Sequence, residues 1–174
     1  MRRTSLLFVL VPAATALAVL ALAEPPVSTV GWKTYHDPAF GFSLRYPDSL
    51  LILPETLPER RPPLLHRVAF LDRGLAASDT AALQPPELAV EVFAPTSGSL
   101  RSWLEANGRL QAGVTPSALP ALQGAREALR VRDPHLSAPN EFVYYATERG
   151  VIALIPLGRE GSAMVETFRL ADQK

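Results

Sequence analysis

Three histidines, His36, His66 and His135, are the side chains in this 174-residue sequence best suited to acid–base work or metal binding near neutral pH. They lie far apart in the chain, each beside a turn or at the end of a strand-like run, and no His-Glu-x-x-His zinc helix is present. Three unrelated surface or rim histidines are the expectation. Asp37 and Asp48 are the next candidates, because two converging carboxylates divide acid and base roles between them. They flank residues 41–46, and six extended residues span roughly 20 Å. The pair is therefore expected at opposite ends of one strand, each capping a turn. Gly41-Phe42-Ser43-Leu44-Arg45 approaches the Gly-x-Ser-x-Gly nucleophile pattern. Arg45, however, stands where the second glycine must permit the sharp turn. No glycine-rich phosphate loop with Lys-Ser or Lys-Thr is present either. No catalytic, cofactor-binding or metal-ligating residue is assigned, and no cofactor is expected.

Charged and aromatic residues offer recognition instead of catalysis. Glu87 and Glu91 share one face of a strand-like run, while Arg126, Arg130 and Arg132 share one face of another. Cross-strand charge pairing or a solvated sheet edge accounts for both sets, and a polar surface for a protein partner is the sharper alternative. Trp32, Tyr35, Phe40, Tyr144 and Tyr145 would stack a ligand if exposed together, but alternation places most of them in the core or at its rim. The absence of cysteine excludes disulfides, a thiol nucleophile, Cys-ligated zinc, iron–sulfur clusters and a lipid-modified cysteine. With 17 basic and 17 acidic side chains, the chain lacks the basic footprint of a nucleic-acid binder. Fifteen arginines against two lysines are as readily explained by genome composition or heat adaptation as by function.

The charge balance shifts once the N-terminus is read separately. Met1-Arg2-Arg3 precedes residues 6–23, a stretch of 18 without a charge that ends in Ala21-Leu22-Ala23. A positive start, an apolar run and small residues at a cleavage site are the parts of a secretory signal peptide, here residues 1–23. If uncleaved, the run reaches the lower length limit for a membrane anchor. Either way the positive-inside rule delivers the rest of the chain to the far side of a membrane. Without its two leader arginines, the exported chain carries 15 basic against 17 acidic groups. Residues 24–31, with Pro25-Pro26, read as an extended linker.

From Trp32 onward short strands dominate. Residues 32–35 and 41–46 are expected strands, separated by turn chemistry at His36-Asp37-Pro38. Further strands are expected at 50–53, 66–71, 87–94 and 125–132, with a loop at 55–63 and a helical turn near 79–83. Residues 140–147 and 151–156 should form a hairpin in which Gly150 supplies a positive backbone angle. Ser99 is a fitting N-cap for a helix whose stripe is Leu100, Trp103 and Leu104, with Gly108 just beyond its end. Residues 161–168 read as a last short helix. Strands with one inserted and one terminal helix predict an α+β domain, a mostly antiparallel sheet with helices packed on it.

The order of these pieces resembles the PsbP-like domains. Trp32-Lys33-Thr34-Tyr35, a short turn, and Gly41-Phe42-Ser43-Leu44-Arg45-Tyr46-Pro47 are similar to that family's opening strands. Ser99-Leu100-Arg101-Ser102-Trp103-Leu104 is similar to its helix start, and Val165-Glu166-Thr167-Phe168-Arg169-Leu170 to its ending. The resemblance covers residues 32–171 and implies an α/β/α sandwich around an antiparallel sheet. It implies little about activity, since the fold serves an extrinsic photosystem subunit, nuclear Ran-binding factors and many exported bacterial proteins. The resulting expectation is an exported, non-enzymatic binding or accessory module with a protein partner in the cell envelope. It would bind no nucleic acid, and would attach to the membrane through residues 1–23 if these are retained. A secreted hydrolase with an unrecognised active site is the alternative.

Overall fold

The computed structural model describes residues 26–54, 63–76 and 84–171. The leader, most of the 55–63 loop and the helical turn expected near 79–83 lie outside the described residues. Lys33–Asp37 (β1) and Phe42–Tyr46 (β2) pair as an antiparallel hairpin, with Asp37 opposite Phe42. His36 and Asp37 belong to the strand and not to the turn expected from Pro38. The turn starts two residues later, at Pro38, and closes when Gly41 N–H donates to the Asp37 carbonyl at 2.8 Å. Gly41 takes φ 67°, a left-handed value that costs glycine little. Asp37 can stay in the strand because its side chain caps the turn from there, accepting from Phe40 N–H at 3.0 Å.

The larger sheet begins with a meander of Leu50–Pro54 (β3), Leu64–Asp72 (β4) and Leu88–Phe93 (β5). A single helical turn, Arg73–Ala76 (α1), follows β4. After the helix Leu100–Ala106 (α2) comes a second meander: Ser117–Ala118 (β6), Ala125–Arg132 (β7), Glu141–Thr147 (β8) and Val151–Pro156 (β9). The meanders join where β5 pairs with β9, giving the order β3-β4-β5-β9-β8-β7-β6 with every pairing antiparallel. The helix Arg159–Glu166 (α3) leads to Arg169–Leu170 (β10), which returns to pair with β2. The fold is α+β, as expected, with β1, β2 and β10 forming a second sheet of three strands.

Alternation along β5, β8 and β9 divides the core in two. Leu88, Val90 and Val92, Val143 and Tyr145, and Ile152 and Leu154 face α3 and the small sheet, joining Phe42, Leu44, Met164 and Phe168. Phe93, Tyr144, Ala146, Val151 and Ala153 face the other way, against Leu100 and Leu104 of α2. Both faces of β5 are therefore covered, which is why all six of its residues are buried. Each large apolar side chain so enclosed contributes about 1.5–3 kcal/mol. Helix α2 starts as expected, with Ser99 Oγ accepting from Ser102 N–H at 3.1 Å. It ends in a Schellman turn: Gly108, at φ 64°, donates to Glu105 O at 3.2 Å, and Arg109 N–H to Leu104 O at 2.8 Å.

Gly150 serves a purpose other than the one expected of it. Among the described residues positive φ values are confined to other glycines, while a Cβ at Gly150 would overlap the Phe93 carbonyl oxygen. The hairpin needs glycine there because β5 passes so close. The turn itself is held by Thr147, whose Oγ1 accepts from Gly150 N–H at 3.1 Å and donates to the Gly150 carbonyl at 2.8 Å.

Candidate functional site

The turn after β1 gathers the first polar cluster. Asp37, only 5% exposed, accepts from the Tyr35 hydroxyl at 3.2 Å as well as from Phe40 N–H. His66 reaches it from β4, sharing a face with Val68 and Phe70, and brings Nε2 to 2.9 Å from Asp37 Oδ2. That is an ion-pair separation without hydrogen-bond alignment, since Nε2 has no properly angled acceptor. The Phe40 ring stacks on the imidazole with centroids 5.5 Å apart. Burial, and then the neighbouring Asp37 charge and hydrogen bond, push the Tyr35 phenol up to about 12. Tyr35 is thus a fixed donor at any physiological pH, and the two groups together hold Asp37 in place.

His36 lies between Tyr35 and Asp37 in β1 but alternates to the opposite face and is exposed, and His135 is exposed in the loop after β7, so the three histidines do not converge. His66 is a rim histidine unrelated to the other two, but it faces a carboxylate that sequence spacing does not reveal. Its signal was hidden because Asp37 is 29 residues away and meets it only through packing of the small sheet on β4. Asp48, beyond the far end of β2, pairs with Lys33 and lies 3.8 Å from Arg73, so the two aspartates are separated as expected. Among the described residues no three His, Asp or Glu side chains stand close enough to hold a metal ion.

Glu91 makes the second cluster: of the two readings expected for it, cross-strand charge pairing holds, since Arg67 is both its register partner and an ion-pair neighbour, and the solvated edge does not. Its side chain is 4% exposed in a central strand, 3.0 Å from Arg109 and 3.6 Å from Arg67. Strand register explains the placement. Arg67, Glu91, Ala153, Tyr144 and Leu129 are successive cross-strand partners in one row across β4, β5, β9, β8 and β7. Ala153 is the small residue of the row, so a gap lies between Glu91 and Tyr144. The Schellman turn aims Arg109 into it. There the guanidinium bonds Glu91 Oε2, reaches the Tyr144 hydroxyl and sits 4.1 Å above the Phe93 ring centroid. Burial holds the Tyr144 phenol above its ordinary value of 10.0 despite that cation.

The β7 arginines find partners other than Glu87 and Glu91. Arg130 lies 3.3 Å and Arg132 2.6 Å from Glu141 on β8, while Arg126 donates to the Thr96 carbonyl. This is the expected cross-strand pairing with a different acid. Glu87 instead serves α3. Gly158, the N-cap, has no side chain to offer, and the Glu87 carboxylate accepts from Gly161 N–H in its place. The aromatic candidates also part company, since Tyr144 and Tyr145 face opposite cores, and Trp32, Tyr35 and Phe40 lean on the core that holds Tyr145.

No protein-family model matches the chain, and no curated protein matches it. Among solved structures it is similar to the solution structure of cyanobacterial PsbP (CyanoP) from Synechocystis sp. PCC 6803. Identity is 15%, the alignment covers 84% of this chain and 98% of that one, and the TM-score is 0.39.

Proposed function

We propose that this chain is an exported PsbP-like binding or accessory module that works at the outer side of a membrane and carries out no chemistry of its own. Export is supported by Arg2-Arg3, the uncharged run 6–23 and Ala21-Leu22-Ala23. The non-catalytic reading is carried by how the reactive groups are spent. Asp37 is held by Tyr35 and Phe40, and Glu91 is closed between two guanidiniums. Function then resides in surfaces, with a protein of the cell envelope as the partner.

Fusion of the first 31 residues to a reporter active only after export tests the compartment, and a silent fusion refutes it. Cross-linking in intact cells followed by affinity capture tests the role. Recovery of one envelope protein is the expected result. No partner, together with turnover on a substrate panel, sinks the proposal. One observation favours the hydrolase alternative: His66 faces a buried carboxylate, the orienting half of a nucleophile-activating pair. That reading predicts ester or amide turnover abolished by His66→Ala.

A further inference from the structure

The small sheet has an outer face that its core-facing residues do not use. Phe42 and Leu44 point into the core, so Ser43 and Arg45 point away from it. Register places Thr34 opposite Arg45 and Arg169 opposite Ser43, on that same outer face. Arg45 and Arg169 are therefore diagonal cross-strand neighbours, roughly 7–8 Å apart with their Cβ atoms somewhat closer. Both line an open pocket of about 540 Å³ with Thr34 and Ser43, walled by Glu166 and Thr167 at the end of α3.

Two like charges this close are unfavourable unless something negative lies between them. Arg67, Arg73, Arg101, Arg109, Arg130 and Arg132 each face a carboxylate. Among the described residues, Arg45 and Arg169 have no ion-pair partner, and Glu166 pairs with neither. They are held by neutral oxygens instead. Arg45 Nη2 donates to Thr29 O at 2.7 Å and Nη1 to Thr29 Oγ1 at 3.4 Å. Arg169 Nη1 donates to Glu166 O at 3.0 Å and Phe168 O at 2.7 Å. Of the five N–H donors on each guanidinium these contacts take two, fixing its position without neutralising its charge.

We propose that this pocket binds a phosphate group between Arg45 and Arg169, with the Ser43 and Thr34 hydroxyls as further donors from the sheet. Donors converging from two guanidiniums and from the sheet floor suit a tetrahedral oxyanion, whereas a planar carboxylate is satisfied by one guanidinium fork. The pocket is far larger than a phosphate, so the group is presented by a larger polar body, either a soluble phosphate ester or a lipid headgroup. The proposal stands whether or not the chain is exported.

Isothermal titration of the full chain with inorganic phosphate, with glycerol 3-phosphate, and with phosphatidylglycerol or phosphatidylcholine vesicles tests it. Saturable phosphate binding is expected, weakened about tenfold or more by Arg169→Gln, an exposed position where folding is not at risk, and likewise by Arg45→Gln. The leader is common to parent and variant, so vesicle binding is read as the difference between them. A variant-sensitive preference for phosphatidylglycerol vesicles assigns the phosphate to a lipid. Tighter glycerol 3-phosphate binding with vesicles indifferent to the variants assigns it to a soluble ester. Failure of all three phosphate probes, acetate or citrate binding where phosphate does not, or phosphate binding unchanged in both variants overturns the proposal.

Discussion

Replacing Glu91 by glutamine keeps the shape of the side chain in the middle of β5 and removes its charge, leaving two guanidiniums directed at a neutral amide. Breaking a buried ion pair from one side costs about 3–5 kcal/mol when the orphaned charge has no recourse to water. Here the two guanidiniums have some, since Arg67 and Arg109 keep 18% and 20% of their side-chain surface exposed. The glutamine oxygen also still accepts one bond from Arg109. The expected loss is therefore about 2–3 kcal/mol, or roughly 4–12 °C in Tm at about 2–4 °C per kcal/mol for a chain of this size. Urea and thermal unfolding followed by circular dichroism measure it. Glu141→Gln, which breaks more exposed pairs, is the internal control and should cost less than about 1 kcal/mol. A quadruple variant, Glu91→Leu with Arg67→Met, Arg109→Met and Tyr144→Phe, should recover most of the loss, because it replaces the charges by apolar groups and also removes the Tyr144 hydroxyl that Arg109 would otherwise leave unpaired. The reasoning fails if Glu91→Gln costs no more than the control, or if the quadruple variant is as unstable as the single one.

Glycine positions separate two kinds of cost. Gly108→Ala meets no neighbour and carries only the left-handed strain of about 1–2 kcal/mol, whereas Gly150→Ala and Gly161→Ala drive a methyl into the Phe93 and Glu87 carbonyls and should prevent cooperative folding altogether. In alkali, Tyr35, Tyr144 and Tyr145 all ionise above 10.0 in the folded chain. The native state then holds protons that the unfolded state has released, so their contribution is complete below pH 10 and declines above it, for Tyr35 up to about 12. Absorbance titration at the phenolate band should show these three titrating late. Unfolding at pH 11 should be less pH-sensitive in Tyr35→Phe, and parallel slopes would refute the assignment. Thr167 Oγ1 accepts from Arg45 N–H at 2.8 Å and donates to Met164 O at 2.7 Å, completing the edge of β2 where β10 has not yet begun. Thr167→Val should cost about 1–3 kcal/mol through the unpaired amide. Hydrogen exchange at Arg45 should accelerate, and unchanged protection there would count against the bridge.

Elements with a strong local signature were legible in the sequence. The helix capped by Ser99 and ended by Gly108, the 125–132 strand and the hairpin around 148–150 fall where periodicity and turn chemistry put them. The two-residue strands β6 and β10 left no periodic trace, because two residues contain no period. The burial of Glu91 and its second partner, Arg109, are invisible in the sequence for a different reason. Alternation identifies two faces of a strand but not what covers the second one, and here α2 and the chain after it do. The partners of Glu91 lie 24 residues before it and 18 after it, and those of Asp37 include a histidine on another sheet. Charge pairs of this kind are products of register and layer packing, to which sequence spacing is blind. For Arg45 the sequence offers a place in a strand and a residue that spoils a nucleophile turn, but no partner. Its pairing with Arg169 across β2 and β10 depends on the strand that could not be predicted.

Ala153 has no polar atom in its side chain, yet the position of a charge depends on it. By leaving its place in the row vacant, it lets a loop arginine reach a glutamate and a tyrosine on strands that are not neighbours. Substitution by valine or leucine would count as mild on any hydropathy scale and would evict Arg109. Positions 67, 91, 109 and 153 therefore form one constraint written in two alphabets, charge and volume. Among relatives they should change together: a chain that has lost the acid at 91 is free to enlarge 153, and one that keeps the acid is not.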